Sequence, residues 1–405
     1  MLQITVLAKN DGPLTKRISL APDGSLRSDG SQCVMACGTA RRLPIPDMSK
    51  LAAAIAGLGS HEALTLGALR ADLPEQVEIV TKRHLDKLNG TDRPDIIART
   101  GDYIDFQPGQ PALALLDFDA KGMPPQVAAK LEALGDFWSA LTAVRPDLAS
   151  VARVTRRSTS AGLFRSDSHA DLPGSNGMHV FIAVKDGGDI DRFLKTLHAR
   201  CWLSGLGWLM IGAGGQLLER SIVDRVVGAP ERLVFEGPPI LDSRLGQDAK
   251  SRRPMAIEGV ALDTLIACPS LSIVEQAKYR EARANEEARL APAIAKAKSE
   301  FITRQSRRLV DKTGMEIGRA RRIVERQCSG VLLPDFILPF DDAELNGSTV
   351  ADVMADPGRF RKRNPRRSAR RRRVRPVQGA HHAPRGWDAV DTQLRPRADS
   401  LRVAV

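Results

Sequence analysis

The 405-residue chain is 42% hydrophobic and 4% aromatic, enough apolar material for a sizeable core and, by length, for two or three domains. A formal charge of +12 has the look of a nucleic-acid signature, but residues 361–405 hold fourteen basic and three acidic side chains, so +11 sits there and the rest carries +1. Bulk charge therefore says nothing about the partner of the folded body, and five scattered cysteines without a signal-peptide pattern fit a reducing cytoplasm. Cys33 and Cys37 lack a second ligand pair at zinc spacing, and no run reaches the roughly 18 apolar residues that cross a bilayer, so no membrane is expected.

In chain order, residues 2–7 and 14–20 read as a hairpin turning at Asn10-Asp11-Gly12-Pro13, with Pro22-Asp23-Gly24 closing the second strand. Ala- and Leu-rich stretches at 48–58 and 61–70 read as short helices. A strand at 112–118 is followed by a helix from about 125 to 144, whose first turn suits Pro124 and Pro125. Strands follow at 151–155, 178–184 and 207–211. A helix lies between the last two, with Asp189 as cap and Phe193, Leu194, Leu197 and Trp202 as its apolar face. From 255 to 330 the composition turns to Ala, Glu, Arg and Lys at helical spacing, broken at Pro292 and at Thr313-Gly314. The expectation is an α+β protein in four parts: an N-terminal α/β unit over 1–110, a sheet domain over 111–250, a helical module over 255–330, and a turn-rich linker with an Arg-rich disordered tail over 331–405.

Residues 113–119 read Leu-Ala-Leu-Leu-Asp-Phe-Asp. Side chains alternate along a strand, so Asp117 and Asp119 project to one side where the apolar run stops. Paired carboxylates repel unless a cation sits between them, which points to Mg2+ or Mn2+ shared with substrate phosphates. The bland alternative is two solvated aspartates. Residues 174–181, Gly-Ser-Asn-Gly-Met-His-Val-Phe, put a Gly/Ser turn before a strand. Backbone N–H groups over Ser175, Asn176 and Gly177, the Ser175 hydroxyl and the His179 ring can cradle phosphate oxygens; the rival for His179 is a hydrogen-bonded core histidine. Asp224 follows the apolar pair Ile222-Val223 and is a candidate third carboxylate, or else a partner of Arg220 or Arg225.

These blocks resemble, in order, the three motifs of the archaeo-eukaryotic primase superfamily, in particular the primase-polymerases of bacterial plasmids and integrated mobile elements. Ser158-Thr159-Ser160-Ala161-Gly162-Leu163 and Pro230-Glu231-Arg232-Leu233-Val234-Phe235 resemble two flanking blocks. The resemblance covers about residues 1–330. It implies that the N-terminal unit belongs to the primase core, that the sheet domain is an RNA-recognition-like catalytic sheet, and that Asp117, Asp119 and Asp224 are catalytic metal ligands for Mg2+ or Mn2+. Ser175, Asn176, Gly177 and His179 then hold the incoming nucleotide. Related end-joining polymerases carry a lysine where this chain has Asn176, so that cationic contact is either missing or supplied by another residue, with Arg157 and Arg165 as candidates. The implied activity is DNA-templated nucleotidyl transfer that makes or extends primers in replication of a mobile element. Its partners are a DNA template and primer, nucleoside triphosphates and a replicative helicase. The arginine run after Phe360 has three readings: the frame-shifted end of a longer frame, a basic arm that binds nucleic acid, or a solvated charge run. The rivals are a non-catalytic single-strand-binding replication protein and a template-independent phosphatase or nuclease using Asp117 and Asp119.

Overall fold

The computed structural model describes residues 2–88, 93–172 and 177–328, and beyond these 331–332, 345, 348–356, 359 and 402–403. The expected linker and tail fall largely outside the described residues. The protein is mixed α+β, with several small sheets and a helical C-terminal region. It divides into two compact units, Met1–Met210 with Glu219–Ala288, and Ile211–Leu218 with Arg289–Val405.

The first unit opens with a five-stranded sheet in the order β3-β1-β2-β4-β5, from β1 (Leu2–Lys9), β2 (Gly38–Ile45), β3 (Glu62–Thr65), β4 (Gln76–Val80) and β5 (Ile96–Ala98). Helix α1 (Met48–Ala56) starts at Asp47, whose carboxylate accepts from the Lys50 N–H. Two expectations fail here. β1 does not pair with 14–20: it lies between β2 and β3, and Arg17–Leu20 instead forms a hairpin with Leu26–Asp29 around the expected turn at Gly24. The reason is burial, since residues 4–7 are inaccessible and need a partner strand on both sides. Residues 61–70 do not form a helix, because Glu62–Thr65 adds to the sheet edge beside Thr5–Ala8 and that pairing overrides the Ala/Leu propensity.

The second sheet is antiparallel throughout, in the order β6-β8-β7-β9, from β6 (Ala112–Phe118), β7 (Arg153–Arg157), β8 (Met178–Val184) and β9 (Met255–Ile257). β6 and β7 therefore run parallel with β8 between them, and the crossover joining them carries α2 (Pro125–Ala133) and α3 (Phe137–Val144). The single helix expected over 125–144 is two: Gly135 takes φ +103°, a value glycine tolerates, and Asp136 caps α3 by accepting from the Ser139 N–H. After β8 comes α4 (Ile190–Leu203), which buries Phe193, Leu194, Leu197 and Trp202 as expected. Asp189 stands at its N-cap position without a capping bond; its carboxylate pairs with Arg192 and accepts from Thr264. One apolar cluster joins the two sheets, running from Ile4, Leu51 and Ile55 through Leu113 and Phe181 to Leu197 and Trp208.

The helical region begins later than expected, because Met255–Ile257 is the fourth strand of the second sheet. Helix α5 (Ile273–Thr313) runs unbroken through Pro292, against the expected stop, and ends at Gly314 with φ +68° before α6 (Ile317–Cys328). No helix among the described residues is long and apolar enough to cross a membrane.

Candidate active site

The apolar run of β6 ends at Asp117, half-buried at the strand end, with Asp119 exposed just beyond it. Directly opposite Asp117 on β8 stands His179, and opposite His179 on β7 stands Arg156. Residues facing each other in a ladder share a sheet face, so Arg156, His179 and Asp117 form one row across three strands. His179 Nε2 lies 3.5 Å from Asp117 Oδ1. Asp224 arrives from a distant part of the chain: its N–H donates to the Asp117 carbonyl at 3.0 Å, which sets the 222–224 segment against the free edge of β6. Asp224 does not pair with Arg225, whose guanidinium goes to Glu219 at 3.1 Å.

The charges answer one another. Burial pushes the Asp117 carboxyl above the usual range; His179 and Arg232 oppose the shift, and the charges of Asp224 and Asp119 add to it. Asp117 therefore lies near enough to Asp224 and to Asp119 to feel the charge of each. Their carboxylates are turned to local work, however. Asp119 Oδ1 accepts from the Lys121 N–H at 2.9 Å, and Asp224 Oδ1 from the Val226 N–H at 3.0 Å. Among the described residues no three Asp, Glu, His or Cys side chains are gathered as a metal site. The oxygen donors suit a hard divalent ion and the excess negative charge at Asp117 invites one, but as arranged the three carboxylates do not form a ligand set.

Glu236 went unnoticed in the sequence. Its side chain is 1% exposed, one carboxylate oxygen bonds His179 Nδ1, and the other lies 3.2 Å from Arg156 Nη1. Burial alone would raise its carboxyl, but His179, Arg156 and Arg252 outweigh that and hold it below the usual range. Burial likewise disfavours the charged His179 ring, and Glu236 and Asp117 override it, so its pKa is raised. The one local signal was an acid closing the apolar run Leu233-Val234-Phe235.

The remaining candidates divide. Ser175 and Asn176 lie outside the described residues. Gly177 is held at the mouth of β8, its carbonyl accepting from the Ser158 N–H at 2.9 Å, and a Cβ there would stand 3.2 Å from both the Phe118 carbonyl and Ser158 Cβ. Arg165 is taken by Asp167 through two bonds of 2.9 and 2.5 Å, whereas Arg157 ends β7 exposed. A concavity of about 550 Å3 lies elsewhere, between α4 and the start of α5, and contains none of these residues. Cys33, Cys37, Cys201 and Cys268 are free thiols.

A second buried cluster abuts the Asp224 segment. Glu219 meets His198 Nε2 at 3.3 Å, Arg225 at 3.1 Å, Arg283 at 3.3 Å and the Tyr279 hydroxyl. His198 and Ser221 in turn bond the Val223 carbonyl, next to Asp224. No protein-family model, no curated protein and no solved structure matches this chain.

Proposed function

We propose that the protein is a DNA-templated nucleotidyltransferase that synthesises or extends primers, of the archaeo-eukaryotic primase type that its motifs resemble. The observation that carries the reading is the meeting of Asp117, His179 and Asp224, three motif residues far apart in sequence, at one end of one sheet. The split β-α-β arrangement of β6, β8 and β7 supports an RNA-recognition-like sheet, with template and primer lying across its face. Asp117, Asp119 and Asp224 would hold Mg2+ or Mn2+ once the Asp119 and Asp224 side chains turn from their backbone partners. The chemistry supplied there would be activation of a 3′-hydroxyl and neutralisation of leaving pyrophosphate. His179 and Gly177 serve the incoming triphosphate.

The test is incorporation of labelled nucleotides by the full chain on a single-stranded template with Mg2+ or Mn2+, beside the double variant Asp117→Ala with Asp119→Ala. Loss of incorporation in the variant is expected; equal incorporation by both proteins refutes the reading. One observation favours a second reading, a single-strand binder that does no chemistry: Asp119 and Asp224 already have backbone partners. That protein would retain single strands in a mobility shift and incorporate nothing.

A further inference from the structure

We propose that Glu236 is a positioning residue for His179, locking the ring with its Nε2 edge toward Asp117 and the triphosphate subsite. The inference rests on the nucleotidyltransferase reading and adds to it a residue outside the three motifs. Arg156, His179 and Asp117 occupy successive places in one row of the sheet, and Glu236 lies against that row between the first two. Its two carboxylate oxygens are divided, one to each neighbour.

The carboxylate is itself immobilised. Arg156 donates to the carbonyls of Glu236 (2.8 Å), Ile55 (3.0 Å) and Arg252 (3.0 Å), so three segments of main chain fix its guanidinium. Arg252, 4% exposed, also donates to the Glu236 carbonyl at 3.3 Å. Arg156 and Arg252 face the Glu236 charge as well, so the bond to His179 does more than balance that charge. What that bond does is remove the ring's freedom to flip. Turned by half a revolution, the imidazole would offer carbon to Glu236 and leave a buried acceptor short of a donor. A carboxylate behind a histidine sets ring orientation and tautomer where the opposite nitrogen meets a ligand or substrate. Here that opposite nitrogen faces Asp117 at the open end of the row.

Two measurements on the full chain test this. In the ring-nitrogen NMR spectrum of histidine-labelled protein, the His179 Nδ1–H signal is expected to be hydrogen-bonded in the wild type and displaced in Glu236→Gln; an unchanged signal overturns the inference. In template-directed incorporation, Glu236→Gln is expected to raise the nucleotide KM about tenfold, and to have no further effect in a His179→Ala background. A KM within about twofold of wild type, or an undiminished effect without the histidine, overturns it. Should Glu236→Gln fold poorly because Arg156 and Arg252 lose their counter-charge, Glu236→Asp keeps the charge but falls one methylene short of His179. It is expected to show the same KM rise at wild-type melting temperature, and a normal KM overturns the proposal. If the wild type incorporates nothing, the enzymatic reading fails, while the NMR arm still reports whether Glu236 holds the ring.

Discussion

Replacing Arg156 by Met tests the buried charge cluster that ties the second sheet to helix α1. Arg156 and Glu236 side chains are 8% and 1% exposed, so water does little to screen their attraction. Removing one partner of a buried pair costs about 3–5 kcal/mol, because the remaining charge loses its compensation. His179 and Arg252 still face Glu236, which favours the lower end of that range. Against it, the carbonyls of Ile55 and Arg252 lose a donor, at about 1–3 kcal/mol for a buried group left unpaired. A loss of about 4 kcal/mol is therefore expected, read by urea unfolding of the full chain through tryptophan fluorescence. The exposed Arg93–Asp95 pair is the control: Asp95→Asn should leave the unfolding curve unchanged. Combining Arg156→Met with Glu236→Gln should cost less than the two separate losses by about 0.5–3 kcal/mol. A loss under about 1 kcal/mol for Arg156→Met, or strict additivity in the double variant, would refute the reasoning.

Leu113, fully buried in β6, should cost about 2–5 kcal/mol when cut to Ala; a near-neutral unfolding curve would put it outside the core. Asp117→Asn should leave the melting temperature unchanged or higher, since it removes a carboxylate repelled by Asp224 and Asp119, and should abolish incorporation. A retained activity counts against Asp117 as a catalytic group. Burial acts to raise the Glu219 carboxyl, but bonds from His198 and Tyr279 and the charges of Arg225 and Arg283 lower it from 4.5 to about 2. The folded value lies below the unfolded one, so this group's stabilisation is complete above about pH 4.5 and is lost as pH falls toward 2. Glu219→Gln should flatten that part of the stability curve in urea titrations from pH 7 to 2, and an unchanged slope would exclude the linkage.

Local pattern revealed the elements whose burial is local. The apolar run of β6, the strand at His179 and the apolar face of α4 all show in their own periodicity. Long-range pairing left no such trace. Nothing within residues 2–9 says that their partners are 38–45 and 62–65 rather than the next strand along, and nothing in 255–257 announces a return to the sheet. Gly135 and Asp136 did carry a readable stop-and-cap signal inside 125–144, and it was overridden by the apolar pattern around it. At the site, the Asp117 and His179 positions followed from strand alternation, whereas Asp224 rested on motif order. Glu236 could not be found this way, because its importance comes from Arg156 and Arg252, 80 and 16 positions away.

The late strand β9 has a practical bearing on how the molecule can be cut. Beyond pairing with β7, its continuation is sewn into the same sheet: the Val260 N–H donates to the Ser150 carbonyl at 3.0 Å and the Leu262 N–H to that of Ala183 at 2.9 Å. A fragment stopped at residue 250 would strip this border away and expose unsatisfied amides and carbonyls on 153–155, the kind of raw margin along which chains stick together. Trimming that spares the enzyme candidate has to begin beyond Ala288, where the first unit closes.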